Sequence, residues 1–278
     1  MTDLANGGAR SDIRPPQPRD FAGFNWMGAF TLYKREVRRF WKVGTQTVAA
    51  PVVTTLLYML VFVVAVGADR QPVDGVSFVR FVVPGLIMMS VLNNAFANAS
   101  SSLIQAKIMG LTPDFLTPPL SPLELVSAFT LGAATRGIVV GLVTALTIAF
   151  LPDAGIHIQH WGVALYFLIG ASLILGMGGV LAGLWAEKFD HLAGATNFVV
   201  MPLTFLSGTF YLTDHLPEPF RTLSHFNPFF YLIDGFRYGF IGHADGSLAV
   251  GAVVTAALTV GLFVWCYMLF KRGYRLKT

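Results

Sequence analysis

The chain has 278 residues, of which 54% are hydrophobic and only 12% charged, with a mean hydropathy of +0.63. A soluble domain carries about 25% charge to solvate its surface and a disordered chain needs the opposite bias, so both classes are excluded. A single cysteine, Cys266, excludes a disulfide scaffold and any cysteine-ligated zinc or iron–sulfur site. The expected fold class is an all-α membrane protein.

The net charge of +4 is terminal: of 19 Lys and Arg, eight precede residue 45 and four lie in the last eight residues. Such basic flanks suit anionic lipid headgroups and not nucleic acid. Residues 1–20, with Gly7, Gly8, Pro15, Pro16 and Pro18, read as a flexible cytosolic leader. The first apolar run begins only around Thr47, so no secretory signal is expected.

Residues 21–44 read as an amphipathic interface helix. Trp26, Phe30, Tyr33, Val37, Phe40 and Trp41 recur at helical spacing and share a face, with Lys34, Arg35, Arg38, Arg39 and Lys42 mostly elsewhere around it. An aromatic stripe beside a cationic face fits a helix lying in the inner headgroup region; a docking surface for a soluble partner is the alternative.

A helix needs roughly 20 apolar residues to cross the hydrocarbon. Six stretches qualify, at about 46–68, 81–104, 124–151, 161–185, 194–212 and 248–270. With six spans both termini share a side, and that side carries fourteen Lys and Arg against four opposite, which puts both ends in the cytoplasm. Gly137 and Gly141 in the third span, and Gly179 and Gly183 in the fourth, are spaced for close helix approach, either within the chain or at a dimer seam.

The second span turns polar at Asn93, Asn94, Asn98, Ser100, Ser101 and Ser102. Asn94 and Asn98 share a face, either as a wet pathway lining or as inter-helix hydrogen bonds. Arg136, near the middle of the third span, needs a partner. Glu124 stands twelve positions away, roughly 18 Å along a helix, and Glu187 and Asp190 would require shifted boundaries. An inter-helix tie or a substrate contact are the two readings.

Between the second and third spans, Pro113, Pro118, Pro119 and Pro122 forbid a long helix. Thr112 as cap and Pro113 in the first turn predict a short one over Pro113, Asp114, Phe115 and Leu116, with Phe115 and Leu116 protruding. Between the last two spans, Asn227 and Pro228 start another helix, with Phe229, Ile233, Phe236 and Phe240 on one face and Asp234 and Arg237 elsewhere. This apolar connection fits short re-entrant helices over about 217–240.

These residues carry a resemblance. Phe205-Leu-Ser-Gly-Thr-Phe-Tyr211, Leu216-Pro217, Asn227-Pro228, Tyr231, Asp234 and Arg237 resemble the C-terminal signature of ABC-2 type permeases, the membrane subunits of ATP-binding-cassette exporters. Pro118-Pro-Leu-Ser-Pro-Leu-Glu124 is similar to the stretch that precedes their third span. Many members carry an acidic Glu-Gly stretch after span two, where this chain has Ala106-Lys-Ile-Met-Gly110. The resemblance implies two membrane subunits, as a homodimer, working with two cytosolic ATPase subunits in the inner membrane. It makes residues 106–118 a coupling helix, places Asn94, Asn98, Phe205 and Ser207 along the path, and makes Asn227, Pro228, Asp234 and Arg237 part of an outer cap. ATP and magnesium belong to the partner, and no cofactor, metal or catalytic residue is expected on this chain.

The chain's own chemistry agrees. A phosphate-binding loop needs Gly-Lys-Ser/Thr after a glycine-rich turn, and none of the six lysines follows a glycine. His157 and His160 are expected in a solvated outer loop. No Gly-x-Ser-x-Gly elbow occurs. An intramembrane enzyme would need clustered acid–base groups. A self-sufficient secondary transporter, the alternative transport class, would show repeats and several intramembrane acids. The expected function is the ATP-driven export of an amphipathic, lipid-linked or polysaccharide-type substrate or drug.

Overall fold

The computed structural model describes residues 23–65, 76–151, 156–211 and 217–276, so the predicted leader lies outside the described residues. α1 (Trp26–Lys42) starts where the Asn25 side chain accepts from the Gly28 amide at 2.9 Å. A π-helical turn (Thr45–Ala49) leads into α2 (Ala50–Ala65). α3 (Phe78–Ile108) is followed by the one-turn α4 (Pro113–Leu116). α5 (Pro122–Ala149) opens on a capping box: the Ser121 amide donates to Glu124 Oε2 at 2.7 Å and the Glu124 amide to Ser121 Oγ at 3.4 Å.

α6 (Trp161–Trp185) precedes a run made of α7 (Phe189–Ala195), a π-helical turn (Thr196–Val200) and α8 (Met201–Phe205). Then come α9 (Phe220–Phe226), α10 (Pro228–Ile241) and α11 (Leu248–Arg272). Asn227 caps α10, its Oδ1 accepting from the Phe229 amide at 3.0 Å, and Gly242 closes it at φ +72°, where a side chain would be strained. Among the described residues there is no β-strand.

Among the described residues, five helices are long and apolar enough to cross a membrane: Thr45–Phe62, α3, α5, α6 and α11. The predicted stretch 194–212 is shorter as a helix. Its run ends at Phe205, and residues 206–211 turn. Gly208, at φ +73°, and Ser207, whose hydroxyl donates to the Thr204 carbonyl at 2.5 Å, make the stop.

α3 is the hub. Its most apolar window is 83% buried, against 17% for the first span and 11% for α11, so those two present their surfaces outward. Glycines let α5 and α6 approach it. A Cβ at Gly137 would stand 3.0 Å from the Val91 carbonyl and one at Gly183 2.8 Å from Leu103 Cβ, while Gly141 and Gly179 would collide with Val91 and the Phe96 carbonyl. Both four-residue spacings therefore serve packing within the chain, where close backbone contact replaces the hydrophobic force that lipid cannot supply between helices.

A first core joins the start of α3 to α6 and α10 through Phe81, Leu86, Phe167 and Leu232. A second joins α1, α4, α5 and α11 through Leu32, Phe115, Phe129 and Phe270.

One end of the bundle collects several element ends. The Asn25 amide donates to Glu124 Oε1 at 2.5 Å. Lys107 Nζ reaches the carbonyls of Leu184 and Ala186, the latter at 3.1 Å. Arg275 Nη1 reaches the Trp185 carbonyl at 2.5 Å and Glu187 at 3.2 Å. Two cations thus satisfy the carbonyls left open where α6 stops. The start of α1 and the end of α11 therefore lie at the same end as α4.

Candidate functional site

α4 forms where the Thr-Pro pair predicts it, with two differences. Thr112 is itself in helical conformation and makes no side-chain cap bond. Phe115 does not protrude: it is 2% exposed, its ring meets Phe129 edge-on at 5.4 Å, and Phe129 stacks on Phe270 at 6.2 Å. Successive residues of a helix point about 100° apart, so a single turn seated on the core must bury one of the pair. Leu116, 39% exposed, is the one turned out, beside exposed Pro113 and Asp114. Ile108, Met109 and Leu111 are also exposed and extend an apolar platform next to it.

The second feature is a polar junction of α1, α3 and α5. α1 packs lengthwise against α5, from Asn25 at Glu124 to Tyr33, whose hydroxyl lies 3.1 Å from that of Thr135. The face it buries is Ala29, Leu32, Glu36 and Phe40, which shares only Phe40 with the predicted aromatic stripe; Trp26, Phe30 and Trp41 remain exposed. Glu36 is fully buried, accepts from Ser102 Oγ at 2.8 Å, and lies 3.5 Å from Arg39 Nε. Gly132 makes room for it, since a Cβ there would stand 2.6 Å from Glu36 Cβ.

Arg39 donates to the Asn98 carbonyl at 2.6 Å, to Asn98 Oδ1 at 3.1 Å and to Ser101 Oγ at 3.2 Å. Burial draws the Arg39 guanidinium below its ordinary pKa, with Glu36 acting the other way. Arg136 Nη2 donates to Asn94 Oδ1 at 3.1 Å, so its partner is the polar stripe of α3 and not Glu187, which pairs with Arg275. Asn94 and Asn98 are buried and engaged within the chain. The part of α3's polar half left half-open is one position round: Asn93, Ala97, Ser101 and Gln105, each four apart.

The third feature lies around α8 and α10. Phe205 stacks on Phe210 at 5.4 Å and meets Tyr58 of α2 edge-on at 6.3 Å, while Ser207 is buried. Asn227 Nδ2 donates to the Leu203 carbonyl at 2.6 Å, tying the start of α10, with Pro228 in its first turn, to α8. Asp234 and Arg237 are not on a separate polar face. They are 3% and 1% exposed, because turns on both sides wrap α10 and supply backbone partners. The Asp234 carboxylate accepts from the amides of Asp245 and Gly246, both at 2.9 Å. Arg237 Nη2 donates to the Gly208 carbonyl at 2.6 Å.

Sequence reasoning passed over Glu36 and the Asn25–Glu124 link, and took Arg39 only as part of a cationic face and Ser102 only as part of a polar stretch. Glu36 sits in a charged run that reads as solvated; the usable signal was the spacing of Ala29, Leu32, Glu36 and Phe40, a second face competing with the aromatic one. His157 and His160 are exposed, and the His160 ring stacks on Tyr238 at 5.1 Å. Among the described residues no cluster of His, Cys, Asp or Glu could hold a metal ion.

Comparison with known proteins covers most of this architecture. A family model described as ABC-2 type transporter matches residues 28–241. The chain is 35% identical over 254 residues to the inner membrane transport permease YadH of Escherichia coli (strain K12), covering 91% of this chain and 98% of that protein. It is 22% identical over 255 residues to nodulation protein J of Rhizobium leguminosarum bv. viciae, covering 90% and 95% respectively.

Proposed function

The chain belongs to the ABC-2 type transporter family, and on that premise we propose that it is the membrane-spanning half of an ATP-driven exporter. The observation that carries this reading is the family match over residues 28–241, which runs from the first turn of α1 to the end of α10. Two copies would form the path, and two ATPase subunits would supply the energy from ATP and magnesium, since this sequence has no phosphate-binding loop. The E. coli relative, named an inner membrane transport permease, supports a multi-pass location in that membrane.

In this reading the end bearing α4 faces the cytoplasm, in keeping with the fourteen basic residues assigned to it. α7, the π-helical turn and α8 provide the sixth crossing. Their run of about 17 residues measures roughly 25 Å at 1.5 Å per residue, so α9 and α10 complete the crossing as an outer cap. α4 is the coupling helix: Phe115 is the anchor into the second core, and Pro113, Asp114 and Leu116 are the surface offered to the ATPase. Movement there would pass through Phe129 to α5 and thence to α1 and α3. Phe205 and Ser207, by the stop of α8, and the half-open stripe of α3 beside Asn94 and Asn98 would border the path. Arg136 ties α5 to α3. The cargo class is an amphipathic, lipid-linked or polysaccharide-type molecule or drug.

The test is ATPase stimulation in the reconstituted complex of this chain with its ATPase subunit. Leu116→Asp and Asp114→Arg should abolish stimulation without lowering the thermal stability of the chain. Stimulation equal to the parent in both variants rejects the role given to α4.

A further inference from the structure

Charge does not balance at the junction of α1, α3 and α5. Among the described residues Glu36 is the one carboxylate in its hydrogen-bonded network, set against the guanidinium groups of Arg39 and Arg136. Arg136 has a neutral partner, Asn94, and among the described residues its buried Nε has no acceptor. Asn98 Nδ2 is likewise a buried donor without an acceptor. Arg39 Nε faces Glu36 Oε2 at 3.5 Å but makes no hydrogen bond with it. A guanidinium in a membrane-spanning helix is costly unless an anion meets it, and buried donors are normally satisfied.

These donor atoms are themselves buried, Asn98 wholly so, but they lie just beneath a partly open surface. α3 is closed over most of its length, yet Asn93, Ala97, Ser101 and Gln105 leave a half-open stripe along this junction, and Arg39 and Arg136 are themselves half-buried. Ser101 is already bonded to Arg39. Surplus positive charge, N–H donors lacking acceptors and an opening thus coincide at one place.

We propose that this junction binds a phosphate-type oxyanion, either the headgroup of an anionic phospholipid or free phosphate. The unmet donors, Arg136 Nε, Arg39 Nε and Asn98 Nδ2, belong to two guanidinium groups and an amide, and together they suit the several acceptor oxygens of such a group, which a lone ammonium would not match. The inference rests on the junction's geometry, at the stripe that the transport reading sets beside the path, and binding by the isolated chain tests it without transport.

The experiment uses the purified full-length chain in detergent with two probes. Dioleoyl-phosphatidylglycerol is followed by native mass spectrometry, and inorganic phosphate by titration calorimetry. The parent should bind at least one probe. Arg136→Gln should weaken that binding about tenfold or more, and Arg136→Lys, which keeps the charge but not the fork, should weaken it less. Arg38→Gln, an exposed α1 residue outside the junction, should bind as the parent does. Retention of the lipid without displacement by phosphate assigns the headgroup; phosphate binding lost in Arg136→Gln assigns the free anion. If Arg136→Gln does not fold, weaker binding by Arg136→Lys beside parent-like binding by Arg38→Gln carries the same reading. Binding of neither probe by the parent, or equal binding by the parent and the Arg136 variants, overturns the proposal.

Discussion

The Arg237 guanidinium lies over the Phe81 ring, 4.0 Å from its centroid, and so fastens α10 to the start of α3. The same group bonds the Gly208 carbonyl where α8 ends. One side chain therefore joins three segments that are distant in sequence. A desolvated cation–π contact contributes about 2 kcal/mol and a hydrogen bond from a charged donor about 1.5–3 kcal/mol. Arg237→Ala should markedly lower the unfolding midpoint of the purified chain. Arg237→Lys should fall between, because an ammonium cannot both cover the ring and reach the carbonyl. A parent-like midpoint for Arg237→Ala would show that the contact contributes nothing to stability.

Gly179 gives a second prediction. Its backbone lies where any Cβ would strike the Phe96 carbonyl, a rigid neighbour that cannot swing away. Gly179→Ala should destabilise the chain by about 1–3 kcal/mol through overpacking. Gly261, in α11, has no neighbour within 4 Å of a built Cβ, and Gly261→Ala should gain about 0.5–1 kcal/mol from helix propensity. The two substitutions are chemically identical, and chemical denaturation of both should show opposite signs.

Within α4, Phe115 and Leu116 should separate stability from coupling. Phe115→Ala removes a ring packed against Phe129 and should cost about 3–5 kcal/mol, seen as a lower thermal midpoint. Leu116→Ala should leave that midpoint near the parent's. Equal loss of stability in the two would contradict their different burial.

Glu36 should behave as a buried charge with a positive neighbourhood. Glu36→Gln leaves Arg39 and Arg136 without a carboxylate and should destabilise the chain, by less than the roughly 3–5 kcal/mol of a fully buried pair because Arg39 is only half-buried. Adding Arg39→Gln should recover part of that loss, since the pair is then removed together. A double-mutant cycle on denaturant midpoints checks it, and strictly additive losses would mean the two residues are not coupled.

Much of this was legible from local patterns. The long apolar stretches, the Asn227-Pro228 helix start and the short helix after the second span all follow from signals within a few residues of one another. The polar half of α3 was visible too, as was the need of Arg136 for a partner. What those groups meet was not. Asn94 lies 42 positions from Arg136, and Ser102 lies 66 from Glu36. Helical periodicity marks two competing faces on α1, and it does not say which is turned inward. The buried one was chosen by Gly132, whose missing side chain admits Glu36.

The sequence by itself determined a membrane-embedded, helical chain without its own nucleotide-binding loop, and its family, because hydropathy, glycine and proline placement and short motifs are read locally. Tertiary structure alone decided that Phe115 is an anchor and Leu116 a surface, that the paired glycines of α5 and α6 press on α3, and that Arg237 is swallowed whole. Those outcomes depend on which faces of distant helices come together, and close packing, not composition, makes that choice.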